Sequence, residues 1–483
     1  MGAIHKLNTV RRRARKVLLG VAILGLGIVM GLPSAVADPG KGKGNAYAHK
    51  SQGFGHMTPY SRVAKLPVVK DKGKIDYEAT YAKARAASIA LATYVKEKVE
   101  ADELGLDVIQ GYDWILGGLE EDSAEGISEA VLRIPSSKLI NPNLPASPAN
   151  TKKANVMDLC NRKWASMALG VAPIVDDKKV VNGYIHSPTL PCEVAIWNDD
   201  KHIYVDMLDP NAIFTLFFTD VLFSEDMEDP AFADAIYAMP EQVKSEIMAI
   251  IYAALSEFDP EMSEMDQKIG PDYHSIEDIV EVVADSPYES PFLHMAYTKV
   301  GGAAFTSGES LVVAEGIIAA MSTHADNPGV HPTPITDDYQ GNPVNGLLDD
   351  VLSEKSSWRS ARLSPITIPG KNHIIEACSP KYAKMALGTG LHHATALPCE
   401  ITVQIVDLDA NGTKESLVIS YLDPGFMLNA LFADVTDAEK EGFADIPGTI
   451  MEDLQNVVTA ALEFQNSGMD LNPNERIFYN MLP

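Results

Sequence analysis

Two stretches of alternating apolar and polar residues, each behind a Leu-Pro-Cys step, set the frame of this chain. Cys399, Ile401, Val403 and Ile405 fall on one face of a predicted strand, and Glu400, Thr402 and Gln404 on the other. Cys192, Val194 and Ile196 form the matching inner face in the first half. Turn residues follow, Asn198-Asp199-Asp200 and Asn411-Gly412, so each stretch predicts a hairpin. The returning strand ends at Leu-Asp-Pro. There Asp209 or Asp423 is placed to cap a helix opened by Pro210 or Pro424. Apolar residues then recur at helical spacing: Ile213, Phe214 and Phe217 in one half, Met427, Leu428 and Leu431 in the other. Longer helical patterns occupy roughly 77–101, 240–258, 309–322 and 447–464. Short helices are expected after Asn161 and Ser379, which are good caps, with stops near Gly170 and Gly388.

These segments are two copies of one unit. CNRKWASMALG at Cys160 matches CSPKYAKMALG at Cys378, and HSPTLPCE at His186 matches HATALPCE at His393. Asp220-Val221 falls on Asp434-Val435, each eleven residues past its Leu-Asp-Pro aspartate, and IIYAALSEF matches VVTAALEF. A long-period repeat of this kind means a duplicated structural unit. Strand runs mixed with helices predict an α+β class with two homologous two-layer domains, antiparallel sheets backed by helices. The expected division is a signal peptide over 1–37, a flexible Gly- and Lys-rich leader over 38–74, a first repeat domain over 75–262 and a second over 263–483. The two repeats are expected to pack as an internal pseudo-dimer.

Charge narrows the partners. The chain has 483 residues, a net charge of -27 and a pI near 4.8, which disfavours nucleic acid and anionic lipid. The N-terminus has basic residues Arg11 to Lys16, an apolar run from Val17 to Gly31 and small residues at Ala35 and Ala37. That order predicts export to the periplasm or the medium, with cleavage after Ala37 and no membrane association afterwards. All four cysteines, Cys160, Cys192, Cys378 and Cys399, lie in the expected mature part, where disulfides become the first expectation.

The blocks C-x2-K-[WY]-A, L-P-C and L-D-P resemble the domain-of-unknown-function 302 family, over about 151–222 and 370–435. The resemblance implies a small α+β domain of the TATA-binding-protein class of folds and no established activity. This chain departs from a simple member in being duplicated, exported and enlarged by insertions.

The Cys and His positions leave four readings open. The first is a disulfide in each copy, Cys160–Cys192 and Cys378–Cys399, worth roughly 3 kcal/mol by loop entropy. The second is a metal or haem site drawing on His186, Cys192, His393 and Cys399, with Met167 or Met385 as further soft donors. The third is a redox or substrate-binding thiol pocket, with the helix-mouth cysteines Cys160 and Cys378 lowered in pKa by the helix dipole. The fourth is buried, inert thiols. His186, Glu193, Lys163, His393, Glu400 and Lys381 are the ligand-binding candidates; the bland alternative for Glu193 and Glu400 is a solvated face paired with Lys163 and Lys381. Asp407 to Gly412 copies the start of a calcium loop, but Val418 stands where an acid belongs, so a hairpin turn is expected. No nucleophile elbow, phosphate loop, dinucleotide fingerprint, zincin helix or haem-attachment motif is present, and no cofactor is named by the pattern. The expected role is an exported protein that binds a small ligand, metal or cofactor near the Cys/His region of each repeat. The alternatives are a thiol- or metal-dependent redox enzyme of the envelope and an accessory protein with stapled domains.

Overall fold

The computed structural model describes residues 57–99, 114–117, 127, 131–145, 150–190, 192–274, 276–286, 290–322, 359–364, 372–397, 399–408, 415–442, 444–464, 471–472 and 475–477. The expected signal peptide, residues 38–56 of the expected leader and the tip of the calcium-like turn lie outside this set. The first half contains β1 (Tyr60–Pro67), α1 (Tyr77–Tyr94), β2 (Trp114–Leu116), β3 (Leu132–Leu139), β4 (Thr151–Asn161), α2 (Arg162–Ala168), β5 (Cys192–Asn198), β6 (His202–Leu208), α3 (Pro210–Phe217), α4 (Pro230–Phe258) and β7 (Ser263–Ile269). After α5 (Ile276–Ala284) come β8 (Phe292–Tyr297), α6 (Ser307–Ser322), β9 (Arg359–Ser364), β10 (Asn372–Cys378), α7 (Pro380–Thr389), β11 (Cys399–Asp407), β12 (Glu415–Leu422), α8 (Pro424–Ala430), α9 (Ile446–Phe464) and β13 (Glu475–Ile477). A 3-10 turn precedes each hairpin, Gly183–Thr189 and Leu391–Ala396.

The fold is mixed α/β with two large antiparallel sheets and a small ribbon of Lys70–Asp71 against Lys74–Ile75 among the described residues. The strand orders of the large sheets are β2-β4-β5-β6-β1-β7, with β3 also on β4, and β9-β10-β11-β12-β8-β13. The orders correspond strand for strand from β4/β10 to β7/β13. Local chemistry forms the hairpin-to-helix corners as expected. Asp209 accepts the Asn211 N–H at 3.0 Å and Asp423 the Gly425 N–H at 2.8 Å, each in front of a proline at the helix start.

Two expectations of extent change. The span 38–74 was expected to be a flexible leader, yet its residues Tyr60–Pro67 are an interior strand, paired with β6 on one side and β7 on the other. Pro59-Tyr60 corresponds to Pro291-Phe292: Asp209 donates its N–H to the Pro59 carbonyl at 2.7 Å, and Asp423 to that of Pro291 at 2.8 Å. The expected domain boundary at 262/263 also separates β7 from the sheet it belongs to. The helix expected to stop near Gly388 ends at Thr389, and Gly170 sits at its helix end, at φ +68°, where a Cβ would meet the Val180 carbonyl oxygen at 2.2 Å.

Each sheet buries one face under its own helices. Val194, Ile196, Val205 and Leu159 pack with Leu91 of α1 and Ile247, Ile251 and Leu255 of α4. Ile401, Val403, Ile419 and Leu417 pack with Val313 and Ile317 of α6 and Leu454 and Val458 of α9. The other face of each sheet is covered by the other half. Leu391 and Ala394 of the second turn, with Ala383 and Leu387 of α7, lie on Val156, Ala195 and Trp197 of the first sheet. Reciprocally, Ser187 of the first turn donates to Thr402 Oγ1 at 2.9 Å, and Gln404 Nε2 donates to Ser187 Oγ at 2.6 Å and to the Tyr184 carbonyl at 3.0 Å. A shared aromatic core with Tyr60, Phe217, Phe292 and Phe426 joins the halves.

Candidate functional site

The two repeated histidines sit on the crossed-over turns. His186, buried in the first turn, has Nε2 2.9 Å from Asp220 Oδ1 and stacks on Phe218 at 3.9 Å between ring centroids. His393, buried in the second turn, has Nε2 3.1 Å from Asp434 Oδ1 and packs on Phe432 at 4.3 Å. The Asp partner stands eleven residues beyond each helix-capping aspartate, so hairpin corner and helix length deliver it to the turn.

The second repeat adds to this pair. Its turn carries His392 where the first carries Ile185. His392 Nε2 lies 3.0 Å from Asp434 Oδ2, and the two imidazole centroids are 4.0 Å apart. Gly390 makes room for both rings, since a Cβ there would stand 2.4 Å from His392 Cε1 and 3.3 Å from His393 Nδ1. His392, His393 and Asp434 each offer one donor atom, all within 4.8 Å of one another, and no other three-donor group of His, Cys, Asp and Glu occurs among the described residues. In a tetrahedral zinc site with ~2.0–2.2 Å bonds the donors stand roughly 3.4 Å apart, so small side-chain movements would bring these three to bonding distance.

The second site has a further partner. Thr389 Oγ1 lies 2.7 Å from the Ala386 carbonyl oxygen and 2.8 Å from His393 Nδ1. Burial, opposed by the Asp434 hydrogen bond, pulls His393 down to about 4, so the neutral form holds at neutral pH. For Asp434, burial pushes upward, but the His392 and His393 contacts outweigh it and hold the carboxyl well below the usual range. In the first repeat, His186 Nδ1 is buried with no hydrogen-bond partner, which leaves the proton on Nε2 and makes His186–Asp220 an ordinary hydrogen bond.

The cysteines do not join either histidine site. Cys160 and Cys192 are free thiols, which corrects the expected disulfide. Register explains it: Cys192 stands opposite Leu159, so Cys160, one residue on, points to the other face of the sheet. The same offset separates Cys378 from Cys399, which stands opposite Ala377; those two side chains, and that of Lys381, lie outside the described residues. The expected thiolate at the helix mouth is also overturned. Burial pushes Cys192 up to about 12 and Cys160 well above its ordinary value, the latter with help from Cys192 and Glu400. The α2 N–H groups of Lys163 and Trp164 are taken by Asn161 Oδ1, at 3.0 and 3.1 Å. Both thiols line a small apolar cavity of about 90 Å3 with Trp114, Trp164 and Phe214.

Glu193 and Glu400 are buried, 4% and 5% exposed, because their face of the strand meets the other half, which removes the alternative of a solvated face. Each stands opposite another carboxylate, Asp158 and Glu376. Lys163 is exposed, its Nζ 5.0 Å from the centre of the Trp164 ring. Sequence reasoning thus found His393 and missed His392, Thr389 and the role of Asp434. The repeated spacing to Asp220 and Asp434 was the available signal; nothing local marks Thr389.

No protein-family model matches the chain, and no curated protein or solved structure matches it significantly. No helix of the described residues is long and apolar enough to cross a membrane.

Proposed function

We propose that this is an exported metal-binding protein whose site is His392, His393 and Asp434 of the second repeat, holding one divalent transition-metal ion. The observation that carries this reading is the convergence of His392, His393 and Asp434, whose donor atoms all lie within 4.8 Å of one another, with Thr389 Oγ1 2.8 Å from the other nitrogen of His393 to hold its ring. Two imidazoles and a carboxylate suit zinc and its neighbours in the first transition row, with coordination positions left for water or a small ligand. The partial exposure of His392 and Asp434, 15% and 26%, gives the ion a path in. The high thiol pKa values of Cys160 and Cys192 speak against a thiol-redox enzyme.

The shared strand order and crossed turns support reading the halves as duplicated two-layer α+β units of the TATA-binding-protein class, docked as an internal pseudo-dimer. The motif likeness to the 302 family points the same way. Export rests on the basic, apolar and small-residue order of the first 37 residues. Isothermal titration of chelator-stripped protein with Zn2+ tests the function. One equivalent should bind, and His393→Ala should weaken it by more than about 100-fold; wild-type protein that takes up no stoichiometric metal would end this reading.

A further inference from the structure

Both elements that carry the proposed metal donors lean on the first repeat. The turn bearing His392 and His393 lies on the first repeat's sheet through Leu391 and Ala394, against Val156 and Ala195. The chain reaches Asp434 directly from the end of α8, and the last carbonyls there are held by hydroxyls from the first half. Tyr60 donates to the Leu431 carbonyl at 2.8 Å and Tyr273 to that of Ala430 at 2.5 Å. The Tyr60 ring also meets both imidazoles edge-on, with centroids 5.1 Å from His392 and 5.6 Å from His393.

From this geometry we infer that the ion acts as a clasp between the repeats: the second repeat supplies the donors, the first positions them through Tyr60 and Tyr273, and bound metal tightens the docking of the two. The inference rests on the metal site proposed above. Its physical basis is pre-organisation. Metal donors must be held close to their bonding geometry by the groups around them, and a carboxylate four residues past a helix end is only as well placed as that end. Coupling between two equilibria is reciprocal, so whatever docking contributes to metal affinity, metal returns to docking. Tyr60 is a positioning residue here, since its hydroxyl is committed to a carbonyl and not to the ion.

Zn2+ titration of full-length wild type, Tyr60→Phe and Tyr252→Phe provides the test. Tyr60→Phe keeps the ring and deletes one hydroxyl; zinc affinity should fall by about 3- to 10-fold, the worth of one hydrogen bond. Tyr252→Phe deletes a similar bond, to the Met265 carbonyl at 2.9 Å inside the first repeat, and should leave affinity unchanged. If Tyr60→Phe does not fold, Tyr273→Phe takes its place with the same expectation. Wild-type affinity in the Tyr60 variant, or equal losses in both variants, overturns the clasp while leaving the site intact. Absence of zinc binding in wild type instead removes the site itself.

Discussion

His186 and His393 occupy equivalent turns, each beside an aspartate and an aromatic ring, yet their surroundings differ. Around His186 nothing accepts from Nδ1, so Nε2–H donates to Asp220 and the pair is complete. Around His393, Thr389 Oγ1 lies 2.8 Å from Nδ1, and His392 stands where the first turn has an isoleucine. The duplicated frame thus holds an isolated histidine–aspartate pair in one half and the proposed metal donors in the other. A repeated motif therefore marks a shared position in the fold, and the atoms around it decide its chemistry.

The largest contrast is expected from deleting each histidine. His393→Ala should reduce zinc affinity by more than about 100-fold, as loss of a protein ligand does, whereas His186→Ala should leave zinc binding in place and lower stability by roughly 2–4 kcal/mol for a buried, packed and hydrogen-bonded ring. Calorimetric titration and thermal unfolding measure the two effects; equal losses of zinc affinity would break the comparison.

Acid should act through the first site's neighbourhood. His294 of β8, buried with Nδ1 2.7 Å from Ser420 Oγ, is pushed down to about 3, first by burial and then by His186. Its folded pKa lies below the unfolded value of ~6.5, so the unfolded chain takes up its proton first. The stability this group contributes is complete above about pH 6.5 and declines as pH falls toward 3, by on the order of 4 kcal/mol in all. The fall in Tm of metal-free protein between pH 7 and 5 should be visibly smaller in His294→Asn; an unchanged slope would remove His294 from the account.

A smaller effect is expected at the support of the proposed metal ligand. Thr389→Val removes the hydroxyl beside His393 Nδ1 and should weaken zinc about 10-fold, with loss of outer-shell partners costing up to ~100-fold in metal sites. The smallest change is expected from Ile185→His. It supplies the first repeat with its missing imidazole but no polar partner for His186 Nδ1, so any second zinc should bind at least about 10-fold more weakly than the first. Two equal sites in this variant would show that the number of imidazoles, and not the hydroxyl beside the ring, sets the difference.

Much of the fold was legible. The hairpins showed in period-two alternation, the helices in caps and apolar spacing, and the repeat in ordered blocks of identity. The strand at Tyr60–Pro67 was not, because eight residues after a Gly- and Lys-rich stretch carry too little periodicity, and only pairing with β6 and β7 completes it. Glu400 and Gln404 share one side of their strand as the alternation predicts, but the alternation does not show that the other half covers that side. Alternation tells which residues share a face and says nothing about what covers it.

By itself, then, the sequence determined the duplication, the corners built by Asp209 and Asp423, and the candidacy of His186 and His393, because these depend on local backbone chemistry and on self-similarity along the chain. Only the tertiary structure decided that Cys160 and Cys192 point to opposite faces, that each histidine turn lies on the other repeat, and that Thr389, His392 and Asp434 converge on His393. Register, burial and the convergence of side chains arise from groups far apart in sequence, and a linear pattern contains no distance between them.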